Sequence, residues 1–170
     1  GGSSDSTIQI LRKNEDIITS WLSEPDTGIY DAWNKGLEIV TGEYICFIGC
    51  DDYFAERSSI SHILSLNGPA CFTDIISSKI LLVDHNGLFL RERGNRWQWS
   101  KMKKHCSVAH PGLMHHKNIF ERHGKFDTRY KIAGDYDFLL RLGPKTSSEH
   151  LDKVTVLMGI YGVSNLNILK

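Results

Sequence analysis

The sequence predicts an α/β fold with a ligand site at the C-terminal end of a buried strand. Three observations predict it. Tyr44-Ile45-Cys46-Phe47-Ile48 is apolar in succession, the pattern of a strand covered on both faces. An amphipathic helical stretch precedes it, and helix followed by buried strand is the layering of α/β proteins. Asp51-Asp52 follow the strand at once, and ligands of open α/β sheets bind beyond the carboxyl ends of strands. The composition agrees. A chain of 170 residues with 41% hydrophobic and 24% charged residues is long enough for one domain, residues 1–170, with a sizeable core. Disordered and collagen-like classes are excluded. Twenty basic residues balance twenty acidic ones, so nothing in the net charge favours nucleic acid as a partner. No apolar run approaches the ~18–20 residues of a membrane span. Cys46, Cys50, Cys71 and Cys106 form no CxxC pair and no zinc spacing. Cys46 and Cys50, in or beside the apolar run, read as free buried thiols of a reducing compartment.

Ser3 to Ser6 supply N-cap residues for a helix over 7–18, where Ile8, Leu11 and Ile18 recur at helical spacing. Pro25 biases Glu24 out of helix, and Gly28 permits a tight turn. A second helix runs over about 29–40, with Ile29, Trp33, Gly36, Leu37 and Val40 on one face and Gly42 as its stop. Residues 43–49 form the buried strand. A helix near 55–66 ends at Asn67-Gly68-Pro69. Residues 70–83 and 88–93 read as strands joined through Asp84-His85-Asn86-Gly87, an Asn-Gly hairpin signal. The basic and aromatic stretch 91–104 has no period and reads as a mobile, lid-like loop. His110-Pro111-Gly112 makes a turn. A short helix over 117–123 closes at Gly124, another over 135–142 closes at Gly143-Pro144, and 154–163 is a last strand.

Four places carry chemistry-bearing side chains. Asp51 and Asp52 are hard oxygen donors suited to Mg²⁺ or Mn²⁺ beside a diphosphate; the plainer alternative is a helix cap. Asp26, Gly28, Asp31 and Asn34 form a second group. Asp31 and Asn34 share a helix face near an N-terminus that favours phosphate, and Gly28 allows close backbone approach. The alternative there is a turn followed by a polar helix face. Asp135 opens the helix of Ala133-Gly134-Asp135-Tyr136-Asp137, as a general base or as a simple N-cap. Asp137 and Arg141 read as a surface pair. Of the histidines, which show no metal-ligand spacing, His110 before Pro111-Gly112 is the one kept as a site candidate.

Together these segments resemble the family 2 glycosyltransferases of the GT-A fold. Residues 21–36 (Trp-Leu-Ser-Glu-Pro-Asp-Thr-Gly-Ile-Tyr-Asp-Ala-Trp-Asn-Lys-Gly) resemble that family's second conserved block. Residues 41–52 resemble its strand and DxD block, residues 110–141 its acceptor-side block, and Gly162-Val163-Ser164 a GG[IV]S-type ending. The blocks stand in the family's order over nearly the whole chain. Gly1-Gly2-Ser3-Ser4-Asp5 is similar to the turn after the family's second strand. The resemblance therefore implies that an opening strand–helix–strand unit, with the acidic residue that meets the base, lies before Gly1.

Residue by residue, the resemblance implies that Asp51 is the final Asp of the DxD motif and the main metal ligand, with Asp52 supporting it and Gly49 where the first Asp often stands. It makes Asp26 and Gly28 donor-nucleotide contacts and puts Asp31 and Asn34 near the diphosphate or sugar. It makes Asp135 the catalytic base, with Gly134 replacing the usual preceding acid, and places His110 on the acceptor side. The implied chemistry is inverting, metal-dependent transfer of a sugar from a nucleotide-sugar donor, by family default a UDP-sugar. The acceptor is a saccharide or lipid-linked hydroxyl in cell-surface polysaccharide synthesis. The expected location is cytoplasmic, at the inner membrane face where the acceptor is lipid-linked. Two other readings stay open: an inactive GT-A-like domain that binds a nucleotide or a partner, and a metal-dependent phosphohydrolase.

Overall fold

A computed structural model describes residues 1–66 and 73–160. The ending Gly162-Val163-Ser164, the stop at Asn67-Gly68-Pro69 and Cys71 lie outside the described residues. Among these, six helices and six strands follow in the order α1 (Thr7–Lys13), α2 (Ile29–Ile39), β1 (Tyr44–Cys46), β2 (Tyr53–Phe54), α3 (Ser59–Leu64), β3 (Ile75–Val83), β4 (Phe89–Arg93), α4 (Trp99–Met102), β5 (Met114–His116), α5 (Asn118–His123), α6 (Gly134–Leu142) and β6 (Ser148–Gly159). The strands form one mixed sheet in the order β1-β5-β3-β6-β2, with β4 paired to β3 off that path.

The sheet is organised by β3. Seven of its nine residues are buried, without alternation, as expected for a central strand covered on both faces. It runs parallel to β6 from Ile75 opposite Ser148 to Val83 opposite Gly159. Its other pairings, to β4 and β5, are antiparallel. The polar side chains that this places in the interior pair with each other, Ser78 with Thr155 and Ser77 with His150, which offsets their desolvation. The β3–β4 hairpin forms where Asn-Gly predicts it. Gly87 has φ 75, and the Asp84 carboxylate accepts from the Asn86 and Leu88 amides at 2.9 and 2.8 Å.

Several expectations change in the structure. α1 stops at Lys13, five residues early, and has no buried residue; without a packed face there is little to hold a longer helix. In α2 the inward residues are Tyr30, Trp33 and Leu37, while Ile29 and Val40 are 50% and 45% exposed. The face is rotated by about one residue. The strand over 43–49 shortens to Tyr44–Cys46, half-buried around Ile45. The helix expected over 55–66 shortens to α3, because Tyr53-Phe54 pair with Val156 and Leu157 of β6. The stretch 91–104 is not a free loop. Its first residues belong to β4, Trp97 and Met102 are buried, and the Tyr136 hydroxyl donates to the Met102 carbonyl. β6 begins six residues before the expected start, and β5 was not expected.

The main core lies between the sheet and α2, α5 and α6. It is aromatic: the Phe120 and Phe138 rings stack at 4.8 Å, and Phe126 lies 5.0 Å from Phe138. α6 contributes Gly134, Phe138, Leu139 and Leu142, a helical spacing. A cavity of about 610 Å³ opens between α2, the edge of β1 away from β5 and the extended segment around Trp21-Leu22.

Candidate active site

The loop before α2 is held by its own polar groups. Gly28 is the N-cap with φ 143, a conformation that L side chains rarely adopt. The Gly28 amide donates to Asp26 Oδ1 at 3.0 Å, and the Thr27 amide to Asp31 Oδ2 at 2.9 Å. That amide, with Lys35 adding, holds the Asp31 carboxyl below the usual carboxylate range. Two lysines clamp the loop from outside. Lys35 Nζ donates to the Pro25 carbonyl at 2.7 Å and meets Glu24 at 2.9 Å. Lys131 Nζ donates to the Thr27 carbonyl at 2.8 Å. Asp26, Gly28 and Asp31 thus form one rigid unit. Asn34 is spent elsewhere: its amide donates to the Phe126 carbonyl at 2.8 Å and accepts from the Phe126 amide at 3.0 Å. It ties α2 to the segment after α5.

Asp135 does not cap α6. Ala133, at φ 65, holds that position, and Asp135 sits in the first turn. Its Oδ1 accepts from the Tyr30 hydroxyl at 3.0 Å. Tyr30 belongs to α2, so the hydrogen bond joins the block over 21–36 to that over 110–141 across 105 residues of sequence. The sequence analysis passed over Tyr30, Lys35 and Lys131. Lys35 was legible as the i+4 partner of Asp31. Tyr30 and Lys131 had no local signal, because their partners are remote in the chain.

Asp51 and Asp52 precede β2 and do not cap a helix, since Ser58 caps α3. Asp52 Oδ2 accepts from the Gly49 amide at 3.0 Å and Oδ1 from the Gly159 amide at 3.1 Å. It closes its own loop and pins it to the end of β6. Burial raises its proton affinity, the two amides lower it, and the Asp51 charge adds to the rise. Asp51 is exposed and packs over Gly159, where an added Cβ would lie 2.5 Å from its Oδ2. A glycine is needed there so that the carboxylate can lie against the strand. Among the described residues no group of three His, Cys, Asp or Glu side chains gathers as a metal cage. An exposed Asp51 with Asp52 beside it still fits Mg²⁺ or Mn²⁺, which bind through one or two carboxylates plus substrate phosphates.

His110 is not at a surface. It is 7% exposed, with its ring 5.0 Å from Trp33 and 5.7 Å from Phe47. It stands 5.1 Å from His115. Burial lowers both histidines to about 3, so both rings are neutral, and the Nε2 atom of each has no hydrogen-bond partner. The cysteines Cys46, Cys50 and Cys106 are free, and Cys50 and Cys106 are exposed rather than buried. The candidate residues do not share one cavity. The 610 Å³ cavity reaches Asp26 but is lined by neither Asp51 nor Asp135.

Residues 1–67 match the sequence profile of Glycosyl transferase family 2. The fold matches the crystal structure of S. aureus TarS 1-349 in complex with UDP-GlcNAc, with TM-score 0.70 and 18% identity over 92% of this chain and 47% of that one. The family 2 pattern thus covers residues 1–67, and the fold is that of a GT-A glycosyltransferase. Among curated relatives, the PGL/p-HBAD biosynthesis glycosyltransferase of Mycobacterium tuberculosis (strain ATCC 25618 / H37Rv) is 24% identical over 146 residues, covering 83% of this chain and 55% of the relative. The chondroitin synthase of Pasteurella multocida (strain Pm70) is 23% identical over 184 residues, covering 99% of this chain and 18% of the relative. The chain spans about half the length of the mycobacterial relatives it matches. In this GT-A framework the Asp26–Asp31 loop and Asp135 meet through Tyr30, while Asp51 and Asp52 occupy a separate loop at the end of β6.

Proposed function

We propose that the chain carries the catalytic groups of an inverting glycosyltransferase that uses a nucleoside-diphosphate sugar, with a saccharide or lipid-linked hydroxyl as acceptor. The single observation that carries this reading is the Tyr30–Asp135 hydrogen bond, because it joins the donor-side and acceptor-side blocks at one carboxylate. A UDP-sugar donor is supported by the UDP-GlcNAc complex of the similarly folded TarS. No helix among the described residues is long and apolar enough to cross a membrane, so a lipid-linked acceptor would be met at a membrane face.

The Asp26–Asp31 loop and the N-terminus of α2 would receive the nucleotide diphosphate, the end of a helix that favours negative charge. Asp51, with Asp52 beside it, would hold Mg²⁺ or Mn²⁺. When bound, that ion would neutralise charge growing on the departing diphosphate. Asp135, in the first turn of α6, would take the proton of the acceptor hydroxyl through Oδ2. The acceptor oxygen then bonds the anomeric carbon as the bond from that carbon to the diphosphate oxygen breaks. The electron pair leaves with the nucleoside diphosphate, and attack from the opposite face inverts the centre.

The test is a thermal shift with UDP, with and without Mn²⁺, on the wild-type chain and Asp51→Ala. Ligand that binds only the native state raises the melting temperature. The expected result is a Mn²⁺-dependent rise that Asp51→Ala loses. A cooperative melt that UDP and Mn²⁺ leave unmoved would overturn the donor-site reading and favour a partner-binding domain. UDP-independent hydrolysis of a simple phosphoester would favour the phosphohydrolase.

A further inference from the structure

Tyr30 is joined to Asp135 by more than one contact. Its phenol is 5% exposed. Its ring meets Trp33 edge-on at 5.4 Å and Phe126 at 5.8 Å. It also fills the space beside Gly134, where an added Cβ would lie 2.7 Å from Cε2 and 2.9 Å from Cδ2. The ring therefore has one available position, and in that position its hydroxyl meets Asp135 Oδ1. Burial, with the Asp135 charge adding, pushes the phenol up to about 12, so it stays a donor through the neutral range. The residue that follows Tyr30 is Asp31, which closes the donor-side loop.

We propose that Tyr30 is the positioning residue of Asp135: it fixes Oδ1 and so turns Oδ2 toward the acceptor hydroxyl. The inference rests on the transferase reading of Asp135. Gly134 leaves the room that the ring occupies. A side chain at 134 would displace the ring that aims the base. Tyr30 itself exchanges no proton in the reaction. The acceptor proton goes to Oδ2, while the phenol O–H stays donated to Oδ1 throughout, so the charge balance of the transfer is unchanged.

Tyr30→Phe keeps the ring and removes only the hydroxyl, so the packing against Gly134, Trp33 and Phe126 is retained. The first readout needs no turnover. In protein labelled with ¹³C-aspartate, the Asp135 carboxylate resonance, assigned with Asp135→Asn, shifts in Tyr30→Phe while the Asp51 and Asp31 resonances stay in place. The second is UDP release from UDP-GlcNAc with Mn²⁺, water serving as acceptor. Tyr30→Phe lowers kcat about ten-fold or more with KM for UDP-GlcNAc unchanged, and Asp135→Asn abolishes release. An unmoved Asp135 resonance overturns the proposal. So does wild-type kcat in Tyr30→Phe beside an inactive Asp135→Asn, and in that case the base assignment stands. Wild-type turnover in Asp135→Asn, or no UDP release by the wild-type chain, overturns the base assignment and this inference together.

Discussion

Gly134 shows how one missing methyl group decides an arrangement. Alanine is the better helix former by about 1 kcal/mol, so propensity alone would favour Gly134→Ala. The added Cβ would however lie 2.7 Å from a Tyr30 ring carbon, and Tyr30 is packed on its other sides. Overpacking of this kind costs about 1–3 kcal/mol, which outweighs the propensity gain. Gly134→Ala is therefore expected to be net destabilising, by up to about 2 kcal/mol in urea unfolding. The buried histidines make a second residue-level prediction. Burial holds His110 at about 3, and burial with His110 nearby holds His115 at about 3, against ~6.5 in an unfolded chain. Between those values the unfolded state binds more protons than the native state. Stability is thus fully present above about pH 6.5 and falls as pH drops toward 3. His150, lowered chiefly by burial, acts in the same direction. Urea midpoints measured from pH 7.5 to 4.5 should fall steadily, at up to about 1.4 kcal/mol per pH unit for each buried histidine. His110→Phe, which keeps an aromatic ring between Trp33 and Phe47, should flatten that slope. An unchanged slope would exclude His110 as a source.

At the scale of elements, the helices with a packed face were legible and the short strands were not. α5 and α6 end where expected, at His123 and Leu142, because Gly124 at φ 76 and Gly143 at φ 81 stop them. β5 escaped notice. Three residues, Met114-His115-His116, carry too short a pattern, and they are a strand only because β1 and β3 flank them. The 91–104 stretch has no period, yet Trp97 and Met102 anchor it to the core. Their core neighbours include Phe138 and Leu139, remote in sequence. Arg141 is the clearest connector between elements. It donates to the carbonyls of His123, the last residue of α5, and of Lys125 beyond it, pairs with Asp137 at 3.1 Å, and lies 5.1 Å above the Phe138 ring. The pair with Asp137 alone would be worth little at a surface; the planar fork that reaches the carbonyls is what stabilises the corner. Arg141→Ala should cost about 1–3 kcal/mol in chemical denaturation. Arg141→Lys should recover less than half, since an ammonium cannot reproduce the fork. Full recovery by lysine would reduce the role to charge.

For the whole molecule, stability is graded from β3 outward. β3 and β6 pair over the full length of β3 and are flanked by other strands, whereas α1 has no buried residue. Amide hydrogen exchange should therefore be slowest in residues 75–83 and 154–158 and fastest in 7–13. Equal protection of α1 and β3 would contradict this gradient. The edge of β1 away from β5 borders the 610 Å³ cavity, so the β1 amides should exchange faster than those of β3, despite the buried Ile45.

The sequence by itself determined the α/β class, the order of the blocks and where several helices end. Each of these is written in local pattern: an apolar run, a glycine after a helix, acids at a strand's end. Only the tertiary structure decided the duties of the polar side chains. It committed Asn34 to the Phe126 backbone and Asp52 to the amides of Gly49 and Gly159. It enclosed His110 between aromatic rings and brought Tyr30 to Asp135. The physical reason is the same in every case. A polar side chain's partner is set by three-dimensional proximity, and these partners lie far along the chain or on backbone whose direction the fold alone fixes.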